Sequence, residues 1–209
     1  FRFATKEFTG EIIPKEDMEM IAETARLSPS SFGLEPWKFL IVENKELIKE
    51  ISEVSWGFQR QASTTSHIVI ALTKAGSEVK YDSDYIRNLW INTKGVSEEF
   101  FEGIKDVLKN FQVGKLEADE TNEKLLEWSK RQTYIALGNM MTAAAMREID
   151  SCAIEGFDKE KVEEILAKKG LLDKEKYELT YLIAFGYRKE DPNRKKSRLP
   201  KSEVIQWVE

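Results

Sequence analysis

Apolar residues recur along this chain with two periods, and the switches between them outline its elements. Between residues 15 and 26 they fall at Met18, Ile21, Ala22 and Ala25, the 3.6-residue repeat of a helix with one buried face. Residues 38–42 then read as a strand, residues 45 to about 54 as a helix, and residues 66–73 as a second strand entered through Trp56-Gly57-Phe58-Gln59-Arg60-Gln61. Residues 77–124 alternate charged and aromatic positions and read as helical. They suit either a variable lid beside a site or helices padding one edge of the core. Residues 125–147 make the longest helix, with Ala136, Met140, Met141, Ala144 and Ala145 supplying small or flexible apolar groups that let another helix, or another subunit, approach closely. A strand-like run, Ser151 to Glu155, ends at Gly156, and Asp158 is placed to cap a helix over residues 159–168. A late strand within residues 176–188 stops at Gly186, and the polar tail from Lys189 onward turns apolar again at Ile205, Trp207 and Val208. Those three residues predict that the tail docks on something, a second subunit being a good candidate.

Between the first helix and the first strand lies Ser28-Pro29-Ser30-Ser31-Phe32-Gly33-Leu34-Glu35-Pro36-Trp37. Two prolines fix φ, one glycine permits positive φ, and three serines bring hydroxyls and amides close together, so the segment serves either as a plain turn or as a wall around a polar ligand.

Composition narrows the chemistry. At 209 residues, 33% charged and 41% hydrophobic with a net charge of −5, the chain is expected to form one mildly acidic globular domain with no general affinity for nucleic acid. No apolar run has the length of a membrane span and no leader peptide is read, so a cytoplasmic location is expected. The single cysteine, Cys152, and single histidine, His67, leave no His/Cys zinc set within one chain, and no metal site is expected. His67 sits in a strand-like apolar run and is read as structural rather than as part of a Ser-His-Asp triad. Neither a Walker loop nor a Gly-x-Gly-x-x-Gly turn is present, so an enzyme built on this chain is expected to borrow its reactive group from a cofactor.

Two basic clusters stand at opposite ends, Arg2 with Lys6 and Lys196 with Arg198, each able to offer two cations to one phosphate if extended. Gly156, in Ile154-Glu155-Gly156-Phe157, opens a turn whose amides suit either a ligand or a simple strand-to-helix connection.

Taken in order, Arg2-Phe3-Ala4-Thr5-Lys6-Glu7-Phe8, Ser28-Pro29-Ser30-Ser31 to Pro36-Trp37, Ile154-Glu155-Gly156-Phe157 and Lys196-Ser197-Arg198-Leu199-Pro200 resemble the signatures of the nitroreductase family of flavin mononucleotide (FMN) oxidoreductases. Tyr134, Gly138 and Asn139 are similar to positions of that family's central helix. The resemblance implies an α+β fold: a mixed, mostly antiparallel central sheet flanked by helices, with the C-terminal tail, residues 189–209, exchanged across a homodimer. It implies FMN bound at the dimer interface. Arg2, Lys196 and Arg198 match the residues holding its phosphate, with Phe3 and Ala4 beside them, and Lys6 matches the lysine at the pyrimidine edge. Gln59 and Gln61 match positions able to hydrogen-bond the flavin or ribityl chain, and the Glu155 and Gly156 amides match those facing flavin N5 and O4, with Ile154 beside them among the cofactor-binding positions. Pro29, Ser30 and Ser31 match a loop supplied by the other subunit.

Four positions depart from the family's common pattern. Ala4 stands where many members have serine, Gln61 where some have lysine, Ala153 where proline is frequent and Glu35 where glutamine is frequent. The implied activity is hydride transfer from NADH or NADPH through flavin N5 to a nitroaromatic, quinone or flavin acceptor, by ping-pong kinetics with no catalytic side chain. A narrower dehalogenase, pterin or enone reductase, and a flavin carrier without turnover, are the alternatives.

Overall fold

The computed structural model describes residues 1–118 and 120–209, so one position of the helical 77–124 segment lies outside the described residues. Four strands, β1 (Trp37–Val42), β2 (His67–Lys74), β3 (Asp150–Ile154) and β4 (Tyr177–Gly186), form a sheet in the order β1-β2-β4-β3. Every neighbouring pair in this sheet is antiparallel. The parallel component is a single bridge between Ala4 and Ser151, by which the N-terminal segment lies against β3.

All eight residues of β2 are buried, because the sheet is covered on both faces. On one face Ile68, Ile70 and Leu72 pack with Leu182 and Ala184 against α2 (Lys45–Glu53) and α7 (Lys159–Lys168). On the other, Val69 and Ala71 join Tyr181, Ile183 and Phe185 against α1 (Lys15–Arg26) and α6 (Glu123–Met146). Strand side chains alternate sides, so one uninterrupted apolar run feeds two cores. A register shift between Ala71 and Leu72 marks a bulge in the β2–β4 ladder.

Helix boundaries follow local chemistry. The Asn44 and Asp158 side chains accept the amides of Leu47 and Lys161 at the starts of α2 and α7, caps worth about 1 kcal/mol each. Residues 59–62, in the lead into the second strand, form a one-turn helix, α3 (Gln59–Ala62).

The segment after β2 is helical, as its pattern predicts. It contains α4 (Asp84–Asn88) and α5 (Glu98–Lys109), each running into a wide turn closed by an i→i+5 bond, Lys94 N to Leu89 O at 2.9 Å and Leu116 N to Phe111 O at 3.0 Å. Ile86, Leu89, Phe101 and Leu108 build a third apolar cluster with Trp128 of α6 and Leu34. The chain ends in a short helix, α8 (Lys201–Val204), with Ile205, Trp207 and Val208 exposed. Among the described residues no helix is long and apolar enough to cross a membrane.

Candidate functional site

The two ends of the chain meet. Arg2, Phe3 and Ala4 line a groove of about 110 Å³ together with Arg194, Lys195, Lys196 and Arg198, which gathers five cations on a chain of net charge −5. A phosphate dianion is the natural complement of such a groove. The N-terminal segment is held there by the ladder bridge of Ala4 and by Asp150, a buried carboxylate at the start of β3. Asp150 accepts the Thr5 hydroxyl at 3.0 Å and the Arg188 guanidinium at 2.8 and 2.9 Å. Arg188 in turn donates to the Phe1 carbonyl at 3.1 Å, and its hydrogen bonds to Asp150 raise its already high pKa.

Beside that groove Lys6 donates to the sulfur of Cys152 at 3.4 Å, and the Gln61 amide donates to the same sulfur at 3.5 Å. Gln61 is buried, and its side-chain carbonyl has no hydrogen-bond partner among the described residues. A buried acceptor left unpaired is costly, so a ligand N–H is its fitting partner.

At the end of β3 the Glu155-Gly156 turn is pressed against the approach to α3. Gly57 N donates to Gly156 O at 2.8 Å, and a Cβ on Gly156 would come within 2.7 Å of the Trp56 indole nitrogen and 3.1 Å of Gly57. Only glycine fits there. The Glu155 carboxylate accepts the Tyr134 hydroxyl from α6. Burial first, and that hydrogen bond second, push the Tyr134 phenol well above its ordinary pKa. The Tyr134 ring also lies 5.1 Å from that of Tyr181, fixing α6 to the sheet next to the turn.

The segment 28–37 is anchored to α6. Asn139 donates to the Ser28 hydroxyl at 2.8 Å and Gln132 accepts the Ser31 amide at 2.9 Å. Phe32, Gly33 and Glu35 all have positive φ, and the Tyr85 hydroxyl donates to the Leu34 and Glu35 carbonyls. Pro29, Ser30 and Ser31 do not line the cationic groove of their own chain. Gln59 opens onto a cavity of about 500 Å³ beside Lys45 and Lys49, whereas Gln61 reaches Cys152, which also accepts from Lys6.

His67 is structural in geometry. The Ser66 hydroxyl receives the Ile13 amide at 2.8 Å and stands 2.7 Å from His67 Nδ1, leaving Nε2 to face Glu43 at 2.9 Å. Both Ser66 and His67 are buried, so the constellation offers no nucleophile to a substrate. Among the described residues no cluster of His, Cys, Asp and Glu is arranged to hold a metal ion. Arg194, Asp150 and Arg188 were not picked out by the sequence patterns. The basic run of residues 194–198 signalled Arg194, but nothing local pairs Asp150 with a residue 38 positions away.

The chain is a three-layer α+β fold whose two ends close one cationic groove. The comparisons give it a family: the sequence model of the Nitroreductase family matches residues 1–187, and this chain belongs to that family. A Bacillus subtilis protein provisionally named as NAD(P)H nitroreductase YfkO is 44% identical over 209 residues, spanning 100% of this chain and 94% of the relative. Among solved structures, a nitroreductase family protein of Streptococcus pneumoniae superposes with a TM-score of 0.76 at 26% identity, covering 99% of this chain and 96% of the other. A protein of Exiguobacterium sibiricum provisionally named as a nitroreductase, solved in complex with FMN, has the same fold, with a TM-score of 0.74 at 22% identity and coverage of 99% and 93%.

Proposed function

We propose that this nitroreductase-family protein is an FMN-dependent oxidoreductase that draws electrons from NADH or NADPH and delivers them to a small acceptor such as a nitroaromatic, a quinone or a free flavin. One observation carries the reading: the phosphate-sized cationic groove of Arg2, Lys196 and Arg198 adjoins a second polar group, Lys6 and Gln61, whose orphan carbonyl suits a flavin N–H. The naming of the Bacillus subtilis relative as an NAD(P)H nitroreductase and the FMN complex of the Exiguobacterium sibiricum protein agree with it.

FMN, when bound, supplies the hydride acceptor and donor. Arg2, Lys196 and Arg198 hold its phosphate, with Arg194 as a further cation, and Lys6 places positive charge at the pyrimidine edge, where reduction builds negative charge. The tight Gly57–Gly156 packing keeps the Glu155 and Gly156 backbone fixed at the reacting end. The chain positions and polarises, while solvent supplies protons.

The functional unit in this reading is a homodimer. Ile135, Gly138, Thr142 and Met146 form one exposed stripe along α6, Gly138 has open space around it, and the tail presents Trp207 and Val208. A partner covering these surfaces brings its Pro29, Ser30 and Ser31 to the flavin and receives residues 189–209 as a wrapping arm. Residues 77–124 then shape acceptor access, and the cytoplasm, where nicotinamides are plentiful and thiols stay reduced, is the location.

The test is spectroscopic. Purified protein is expected to carry, or after reconstitution to retain, flavin absorbance that bleaches anaerobically on adding NADH or NADPH. Colour then returns with an acceptor panel that includes nitroaromatics, quinones, enones, pterins and halogenated aromatics. Protein that never takes up FMN overturns the reading. Protein that binds FMN but never bleaches replaces the enzyme with a flavin carrier.

A further inference from the structure

Cys152 lies on β3 with its side chain buried, and its sulfur is the meeting point of three groups. Its S–H faces the Ala153 carbonyl at 3.6 Å, which leaves the sulfur lone pairs for two donors, the Lys6 ammonium at 3.4 Å and the Gln61 amide at 3.5 Å. Sulfur is a weak acceptor, but here it is the partner that both donors share. Lys6 is exposed and otherwise free to sweep solvent on its flexible stem. Gln61 has a second constraint, because with its amide committed to sulfur its carbonyl is left buried without a partner among the described residues.

We propose that Cys152 is a positioning residue for the flavin site: by accepting from Lys6 and Gln61 together it localises the cation and the amide carbonyl that set the relative affinity for reduced and oxidised FMN. This inference rests on the FMN reading above and deepens it. A cation held at one place stabilises the negative charge of the reduced pyrimidine edge more than a cation averaged over solvent, so loss of the pin weakens binding of reduced FMN more than of oxidised FMN.

The experiment compares the full-length protein with Cys152→Val, which keeps a strand-compatible apolar volume without an acceptor, with Cys152→Ala as the smaller alternative should valine not fold, and with Cys152→Ser, which restores an acceptor. FMN dissociation constants are measured by fluorescence quenching and the potential of bound FMN by redox titration. In parallel the Gln61 side-chain amide is followed by NMR in the FMN-free proteins with glutamine-selective labelling. The expected result for Cys152→Val is about a tenfold loss in the preference for reduced over oxidised FMN, equivalent to about 30 mV for a two-electron couple. A displaced Gln61 amide resonance accompanies it, and Cys152→Ser stays within about twofold of the parent in that preference, on the same scale. A preference unmoved in Cys152→Val and Cys152→Ala overturns the proposal, even if thermal stability falls, since a merely structural thiol changes stability alone. A parent protein that takes up no FMN defeats the flavin reading itself. In that event an unperturbed Gln61 resonance in Cys152→Val separately defeats the pin.

Discussion

Gly57 and Gly156 lie back to back, the amide of the first donating to the carbonyl of the second at 2.8 Å. The contact joins the approach to α3, which carries Gln61, to the end of β3, which carries Cys152, so one glycine pair sets the spacing of the site. Gly156→Ala pushes a methyl to within 2.7 Å of the Trp56 indole and 3.1 Å of the Gly57 backbone. The backbone cannot yield as a side-chain tip does, and about 1–3 kcal/mol of destabilisation is expected in urea unfolding. FMN retention and turnover should fall with it. Parent-like stability and turnover together would falsify the packing role.

Asp150 is a buried carboxylate whose partners come from three places in the chain, Thr5, Arg188 and, through Arg188, the Phe1 carbonyl. Replacing it with alanine removes the buried partner of Arg188, whose remaining carboxylate is the exposed Asp191 at 3.4 Å, and frees the N-terminal segment. A loss of about 3 kcal/mol in stability follows from breaking such a pair. Limited proteolysis should then cut the first eight residues faster in the variant; equal cleavage rates would show that other contacts hold the segment.

Arg198 serves the phosphate in the proposed function, and a charge-assisted hydrogen bond of this kind is worth about 1.5–3 kcal/mol. Arg198→Ala is therefore expected to raise the dissociation constant for FMN by about tenfold or more, while riboflavin, which lacks the phosphate, binds parent and variant alike. An FMN affinity that does not move removes Arg198 from the groove's function.

Alkaline pH probes the tyrosines. Burial raises the Tyr85 and Tyr181 hydroxyls above their ordinary range, foremost Tyr181, whose hydroxyl donates to the Thr133 carbonyl at 2.9 Å. These groups stay protonated in the folded chain at pH values where the unfolded chain already ionises them. Stability is thus fully present below pH about 10 and declines above it, by up to about 1.4 kcal/mol per pH unit for each fully protected phenol. Urea midpoints measured from pH 7 to 11, with tyrosinate absorbance recorded alongside, should show ionisation of these two only with unfolding. Full tyrosinate absorbance in a still-folded protein would contradict the burial.

Ile135 and Met146 stand exposed on the same stripe of α6. In the dimer reading Ile135→Glu buries a charge against an apolar partner surface, and sedimentation equilibrium at micromolar concentration is expected to find a monomer with weakened FMN binding. A variant that remains dimeric places the interface elsewhere.

Much of this architecture was written in local pattern. The 3.6-residue repeat of α1 runs over the residues found, 15–26, and Asp158 caps α7 as its position and chemistry dictate, because both depend only on neighbours within a few residues. The order of the four family motifs was also visible in the chain, and Arg2 lines one groove with Lys196 and Arg198. Pairing partners were not legible. The run from Ser66 to Thr73 announces a buried strand but not that its alternate residues serve two separate cores, since that follows from which helices cover each face. The positive φ of Glu35 is supported locally by Ser30, whose hydroxyl accepts the Glu35 amide, and from a distance by Tyr85, 50 residues away in sequence, which donates to the Glu35 carbonyl. The lead-in to the second strand gave no conformation in advance; its short helix at Gln59–Ala62 puts Gln59 on one cavity and Gln61 on the sulfur of Cys152. Sequence by itself therefore determined the elements, their caps and the residue types of the site. Tertiary structure alone decided the convergence of Lys6 and Gln61 on Cys152, the Asp150–Arg188 clasp and the Gly57–Gly156 contact, because each needs close approach between segments tens to hundreds of residues apart, which no local propensity encodes.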